Sequence, residues 1–256
     1  VSVLQRRVDG PRLTVTLNRP DVHNALNVEL LAALTDAVRA ASSAPGVRYV
    51  VIDGAGASFC AGADLEWMRA SVSATRGENE VDAARVADAL EAIVRCPKPV
   101  IARVHGPALA GGMGIVAACD LAVAGPRAVF GLTEVRLGLV PAMVFPYLLR
   151  RVAPHQLRWA ALTGERFGPQ AAREMGLIHE VADDVDRVIT RWADGLMTGA
   201  PGAQARVKTL FAAVPGLTWE AARAYTIEMI AEVRAGTEGQ EGMRAFLDKR
   251  GPSWTS

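Results

Sequence analysis

The sequence predicts an α/β fold: a coiling core of strands and helices with a helical layer packed onto it. Three observations point there. An apolar strand, a glycine turn and a helix recur from Tyr49, Val100 and Leu121. From Ala142 onward the chain reads as a succession of helices punctuated by glycine and proline. Half of the 256 residues are apolar, enough for a sizeable core in one large domain or one domain with an appended part.

In chain order, Val1 to Leu17 alternate apolar and polar residues about Asp9-Gly10, a pair favoured in hairpin turns. Asn18 to Ala25 is loop. Asn27 is a credible N-cap for a helix through about Ala41, with Leu30, Leu31, Leu34 and Val38 on one face, and Pro45-Gly46 ends that unit. Tyr49–Asp53 is a strand, Ala61–Leu65 a turn, and a helix starts at Leu65. Ser71–Glu80, polar and small, reads as a mobile segment or a plain solvated loop. Val81–Arg95 is an amphipathic helix closed by Cys-Pro-Lys-Pro. Val100–Val104 is a buried strand, Ile115–Cys119 a helix and Asp120–Gly125 a strand. Val129–Arg136 is short and extended. Helices follow at Phe145–Val152, Pro154–Thr163, Pro169–Met175, Val185–Met197, Ala203–Val214, Thr218–Ala235 and Thr237–Lys249, with Leu162–Phe167 as a turn.

Charge and cysteine content exclude several functions. A formal charge of +1 and only three lysines give no electrostatic pull toward nucleic acid or an anionic membrane. No apolar run approaches the ~20 residues of a bilayer span, and Val3-Leu4 is followed at once by Gln-Arg-Arg, unlike a signal peptide. Cys60, Cys96 and Cys119 are odd in number and form no C-x-x-C pair, which fits packing roles in a reduced, cytoplasmic setting. No His, Asp and Glu cluster has metal-ligand spacing, so no metal is expected.

Two turns carry the chemistry. In Pro99–Asp120, Gly111, Gly112 and Gly114 crowd the start of a helix, where unpaired N–H groups favour negative charge and a missing Cβ admits another molecule. The P-loop pattern fails because Ile115 follows Gly114, and the G-x-G-x-x-G spacing is absent. Tight packing of helix on strand is the plain alternative. Ser58–Leu65 is a second small-residue turn after a strand. Two turns each aiming one amide at a common oxygen would make an oxyanion hole.

The motifs together resemble the crotonase superfamily of enoyl-CoA hydratases and isomerases, nearly end to end. They are Asn18-Arg-Pro with Asn24-Ala-Leu, Phe59–Leu65, Pro99–Gly112, Cys119-Asp120, Phe130–Pro141, Leu162–Phe167, Ala171–Leu177 and Glu241–Arg250. The resemblance implies a coiled ββα superhelix core over 1–195 and a C-terminal helical trimerisation region over 196–256, in a homotrimer or a dimer of trimers. It places the oxyanion hole on the N–H groups of Ala63 and Gly111. Acyl-CoA contacts then fall on the loop of His23 and Ala25, on the backbone of Ala61, Asp64, Leu65 and Gly112, and on Phe246 and Lys249 of a neighbouring subunit. Asp64 is expected to fix its turn more than to touch substrate. CoA is part of the substrate, so no separate cofactor is implied.

One departure shapes the mechanism. Hydratases of the standard type use two glutamates; Glu134 matches the second, while Gly114 occupies the first position. The segment Phe130–Ala142 is most similar to hydratases of branched, carboxylated enoyl-CoAs such as methylglutaconyl-CoA and carboxygeranoyl-CoA, in leucine and acyclic terpene breakdown. There Glu134 would position water or protonate the α-carbon, with the Ala142 N–H near the water. A Δ3,Δ2-enoyl-CoA isomerase using Glu134 alone, and a weakly catalytic thioester-binding protein, are the alternatives. His105 and His179 read as core or turn histidines, and Trp67, Met68, Met143 and Phe145 as core or tunnel lining.

Overall fold

The structure, a computed structural model, describes residues 2–255. Strands β1 (Leu4–Asp9) and β2 (Arg12–Leu17) pair antiparallel across a tight turn. Asp9 faces Arg12, so the turn residues proper are Gly10 and Pro11, one step beyond the expected Asp9-Gly10. Gly10 takes φ 53°, a conformation that costs a residue without Cβ nothing. Helix α1 (Val28–Ser43) starts where Asn27 accepts a hydrogen bond from the Leu30 N–H, and its buried stripe includes Leu30, Leu31, Leu34 and Val38. β3 (Tyr49–Gly54) then joins β2 in parallel.

Helices α2 (Leu65–Ser73) and α3 (Arg76–Arg95) follow with two residues between them. The loop expected over Ser71–Glu80 is therefore mostly helix. The reason is local: Thr75 accepts from the Glu78 N–H while the Glu78 carboxylate accepts from the Thr75 N–H, a reciprocal cap that starts α3 five residues before Val81.

β4 (Val100–Val104), the two-residue β5 (Ala108–Leu109) and α4 (Gly111–Ala118) come next, so the glycines lie inside the first turn of α4. β6 (Leu121–Ala124) and β7 (Phe130–Gly131) follow; Glu134–Leu137 is a 3-10 turn where an extended segment was expected. Helix α5 (Phe145–Leu148) is half the expected length. Beyond α6 (Pro154–Thr163), β8 (Arg166–Phe167) lies within the expected turn and pairs with β7. The remainder is α7 (Pro169–Glu174), β9 (Glu180–Val181), α8 (Val185–Thr198), α9 (Pro201–Ala213), α10 (Trp219–Ala235) and α11 (Thr237–Leu247).

The main sheet runs β1-β2-β3-β4-β6-β9, parallel except for its first pair, and β5-β7-β8 form a second small sheet. A parallel sheet is stable when both faces are covered. Here Val50, Ile52, Val100, Ala102 and Val104 point into the larger core with α1, α3 and α4. Val51, Ile101 and Val123 point the other way, onto Val185, Val188 and Ile189 of α8. The turns leaving β3 and β4 emerge side by side at one end of this sheet, and that proximity creates the site.

Candidate active site

The turn after β3 and the turn after β4 are laced together through backbone. The Cys60 N–H donates to Pro107 O (3.0 Å) and the Leu109 N–H to Cys60 O (2.9 Å). Above them the Leu26 N–H donates to Gly62 O (2.7 Å) and the Asp64 N–H to Leu26 O (2.9 Å). In such a parallel bridge the intervening residue, Ala63, turns its own N–H away from Leu26. Ala63 is exposed, and its N–H has no acceptor among the described residues. The Gly111 N–H, in the first turn of α4, has none either.

The turns approach so closely that only small residues fit. Gly62 has φ 97°, and a Cβ on it would stand 2.9 Å from the Ala110 Cβ. A Cβ on Gly112 would stand 2.9 Å from the Cys60 Cβ and closer still to its carbonyl. Ala110 has φ 47° and ψ −115°, strained for a residue with a Cβ, at the point where the chain swings into α4.

Asp64 holds the first turn in place. It caps α2 by accepting from the Glu66 (2.8 Å) and Trp67 (3.2 Å) N–H groups and pairs with Arg19 at 2.9 Å. Burial acts to raise its pKa, but the Arg19 bond and the two amides outweigh this and leave it lowered. Both its N–H and its carboxylate are thus engaged within the chain. Arg19 also donates to Ala25 O, and the buried Asn24 side chain bonds the Arg19 N–H, Ala55 O and Ser58 O. Arg19 and Asn24 belong to motifs visible in the sequence, yet their role as the frame of this turn emerges only from these bonds.

His23 and Asn24 both have positive φ, 54° and 56°, which curls the loop so that His23 O accepts the Ala61 N–H (3.0 Å). His23 Nδ1 lies 3.0 Å from Ser58 Oγ. His23, Ala25, Ala61, Asp64 and Leu65 therefore sit around one turn beside Gly111 and Gly112. Leu65 is exposed at the start of α2.

Glu134 reaches the same region from β7. The Ala110 N–H donates to Gly131 O (2.9 Å), three residues before Glu134. Glu134 is half-buried, and its Oε2 is enclosed without a hydrogen-bond partner. Burial pushes its pKa up, and no other charged side chain contributes to the shift. The Glu134 backbone N–H bonds the carboxylate and offsets this in part; an enclosed carboxylate oxygen without a partner is costly and suits a group that takes up a proton, a feature shared here with Asp53 Oδ1. Gly114 is fully enclosed: Val144, itself 3 % exposed, sits where its side chain would be.

The Ala142 N–H donates to Val140 O (2.8 Å), so it is engaged within its own turn. Phe246 and Lys249 lie at the end of α11, which packs on α9 and α10; both are exposed, and the single chain does not bring them to the turns. Cys60 and Cys119 are buried and their thiols pushed up to about 12, which suits packing and not nucleophilic attack. His179 accepts from the Ala122 N–H, and burial, aided by Arg151, lowers its pKa; His105 lies against Gly56 O. Trp67 and Phe145 are half-buried against the main core, and the Trp67 indole donates to Asp82 (2.6 Å). Among the described residues, no group of three or more His, Cys, Asp or Glu is placed to hold a metal, and no helix is long and apolar enough to cross a membrane.

A family model described as enoyl-CoA hydratase/isomerase matches residues 12–256. The chain belongs to the enoyl-CoA hydratase/isomerase family. Among its relatives is the enoyl-CoA hydratase EchA19 of Mycobacterium tuberculosis, 32% identical over 99% of this chain and 96% of that protein. An enoyl-CoA hydratase structure from Shewanella pealeana superposes with a TM-score of 0.95 at 34% identity, over 98% of this chain and 96% of that one. One from Mycobacterium smegmatis gives 0.93 at 36% identity, over 99% of both chains. The architecture is the crotonase fold, and the protein is an enzyme of this hydratase/isomerase family.

Proposed function

We propose that the protein is an enoyl-CoA hydratase in which Glu134 is the single acid–base group and the Ala63 and Gly111 amides hold the thioester oxygen. The observation that carries this reading is the enclosed, unpartnered Glu134 Oε2, three residues beyond the strand residue Gly131 whose carbonyl accepts the Ala110 N–H. In the forward reaction Glu134 accepts a proton from water as its oxygen bonds to C3. Electrons of the C2–C3 double bond move onto the thioester oxygen, where the two amides stabilise the enolate. Each such donor is typically worth about 3–4 kcal/mol. The enolate then takes the proton from Glu134 at C2, so one water is added and the carboxylate is regenerated. A raised pKa suits a group that must both take and give a proton near neutrality.

The finer assignment is to branched or carboxylated enoyl-CoAs of the methylglutaconyl-CoA type, supported by the likeness of Phe130–Ala142 to that branch. A second reading, the Δ3,Δ2-isomerase, is favoured by the filled Gly114 notch. With no side chain there, Glu134 alone would move a proton from C2 to C4 without water.

Crotonyl-CoA, a 3-enoyl-CoA and methylglutaconyl-CoA, each incubated with wild type and Glu134→Gln, separate these readings. Hydration is expected, with a loss of ~10²–10⁴-fold in Glu134→Gln. Conversion of the 3-enoyl substrate alone selects the isomerase. Thioester binding with no turnover of any of the three rules out both readings.

A further inference from the structure

Glu134 sits on a segment pinned at two points to the first turns of α4. On one side the Ala110 N–H donates to Gly131 O at 2.9 Å. On the other, Val144 seats its side chain in the notch left by Gly114. A Cβ built on Gly114 would lie 2.9 Å from the Val144 Cβ and nearer still to Cγ1. Between these anchors Leu132 is buried but Leu137, Leu139 and Val140 are exposed, and the bonds are short-range ones: Arg136 N–H to Thr133 O, Gly138 N–H to Glu134 O and Val135 O, Leu139 N–H to Glu134 O, and Ala142 N–H to Val140 O. The 3-10 turn also leans on α6, where Val135 and Arg136 lie against Gly164. Beyond Val144, Pro141 O accepts the Phe145 N–H at 3.1 Å and α5 packs on α4, so Val144 is the first residue of a stretch that rests on the helix carrying Gly111.

We propose that Val144 is a positioning residue: seated in the Gly114 notch, it fixes the Glu134 carboxylate relative to the Gly111 amide and fills the space a second acid would need. The inference rests on Glu134 being the acid–base group. Two buried atoms set in van der Waals contact transmit displacement, because protein interiors are close-packed and do not yield smoothly. A shift of about 1 Å at a reacting group costs up to ~10²-fold in rate. The contact is also exclusive. Any side chain at 114 displaces Val144, and with it the end of the Glu134 segment.

The test uses Val144→Ala, Val144→Thr, Gly114→Ala and the double variant Gly114→Ala/Val144→Ala in the full chain. Val144→Thr keeps the branched shape but buries a hydroxyl, so it lowers the melting temperature while kcat stays within ~3-fold of wild type. Val144→Ala empties the notch and lowers kcat ~10-fold with little change in KM. Gly114→Ala overpacks it, lowering both the melting temperature and kcat. In the double variant the loss from Gly114→Ala is partly recovered, because removal of Cγ1 relieves the nearest approach while the 2.9 Å between the two Cβ atoms still forces a shift.

Melting shifts of the two single substitutions that simply add would overturn the contact. A kcat that tracks the melting temperature across all four variants, Val144→Thr included, would reduce Val144 to a packing residue. If wild type turns over none of the three thioesters, the proposed function falls while this inference is still decided by amide hydrogen exchange. Val144→Ala should then speed exchange at Gly138, Leu139 and Ala142 at least tenfold, and Val144→Thr should not; unchanged exchange in Val144→Ala ends it.

Discussion

A carboxylate enclosed without a partner weakens the fold whenever it carries charge. Burial raises the Glu134 pKa above its ordinary 4.5, so the folded state holds that proton more tightly than the unfolded chain does. The stability this gives is fully present below the unfolded value and is lost as pH rises through the folded one. Glu134→Gln, neutral at every pH, should therefore melt at or above wild type at pH 7–8, and the difference should close on acidification below about pH 4.5. Melting curves of both proteins from pH 4 to pH 8 check this; a Gln variant less stable throughout would show that the carboxylate has found a partner. The sequence marked Glu134 through its motif, but the enclosure of its Oε2 is a property of the folded chain. Val144 itself carried no mark. A valine in an apolar run announces core and nothing more, and the notch it fills belongs to a glycine thirty positions earlier.

At the scale of elements, the junction of α2 and α3 shows what a side-chain signal can override. Small and polar residues over Ser71–Glu80 suggest loop by composition, yet Thr75-x-x-Glu78 is a capping box and starts a 20-residue helix. Thr75→Ala removes that cap and should lower the melting temperature by about 2–4 °C. The Thr75 N–H and hydroxyl hold the Glu78 pKa below its usual value, so this contribution is present above about pH 4.5 and fades as pH falls through the lowered one. Differential scanning calorimetry at pH 7 and pH 3 would read both; an equal loss at the two values would exclude the carboxylate from the cap. The same lesson holds for β5, β7 and β8. Two-residue strands have no periodicity of their own and exist because Phe130 faces Phe167 and Ala108 faces Phe130.

For the whole molecule, the C-terminal helices are the least self-contained part. Helices α9 and α10 leave Phe211 and Trp219 exposed at 76 % and 88 %, and Phe246 on α11 stands at 82 %. Side chains this apolar and this exposed are what an association surface would cover. The family resemblance implies trimers or paired trimers, with Phe246 and Lys249 carried to a neighbour's CoA end. Sedimentation equilibrium should give three or six chains, and Trp219→Asp with Phe211→Asp should shift the mass toward monomer. A monomeric wild type would remove Phe246 and Lys249 from the site.

The sequence by itself determined the class of fold, the long elements and the family. Apolar periodicity, the Asn27 cap and the two glycine turns are local, and local chemistry is readable one stretch at a time. Only the tertiary structure decided how β3 and β4 deliver those turns side by side, how Arg19 and Asn24 brace Asp64 and its neighbours, and how Val144 closes on Gly114. Those are contacts between residues far apart in the chain, and they form because the sheet, once covered on both faces, leaves its turns nowhere else to go.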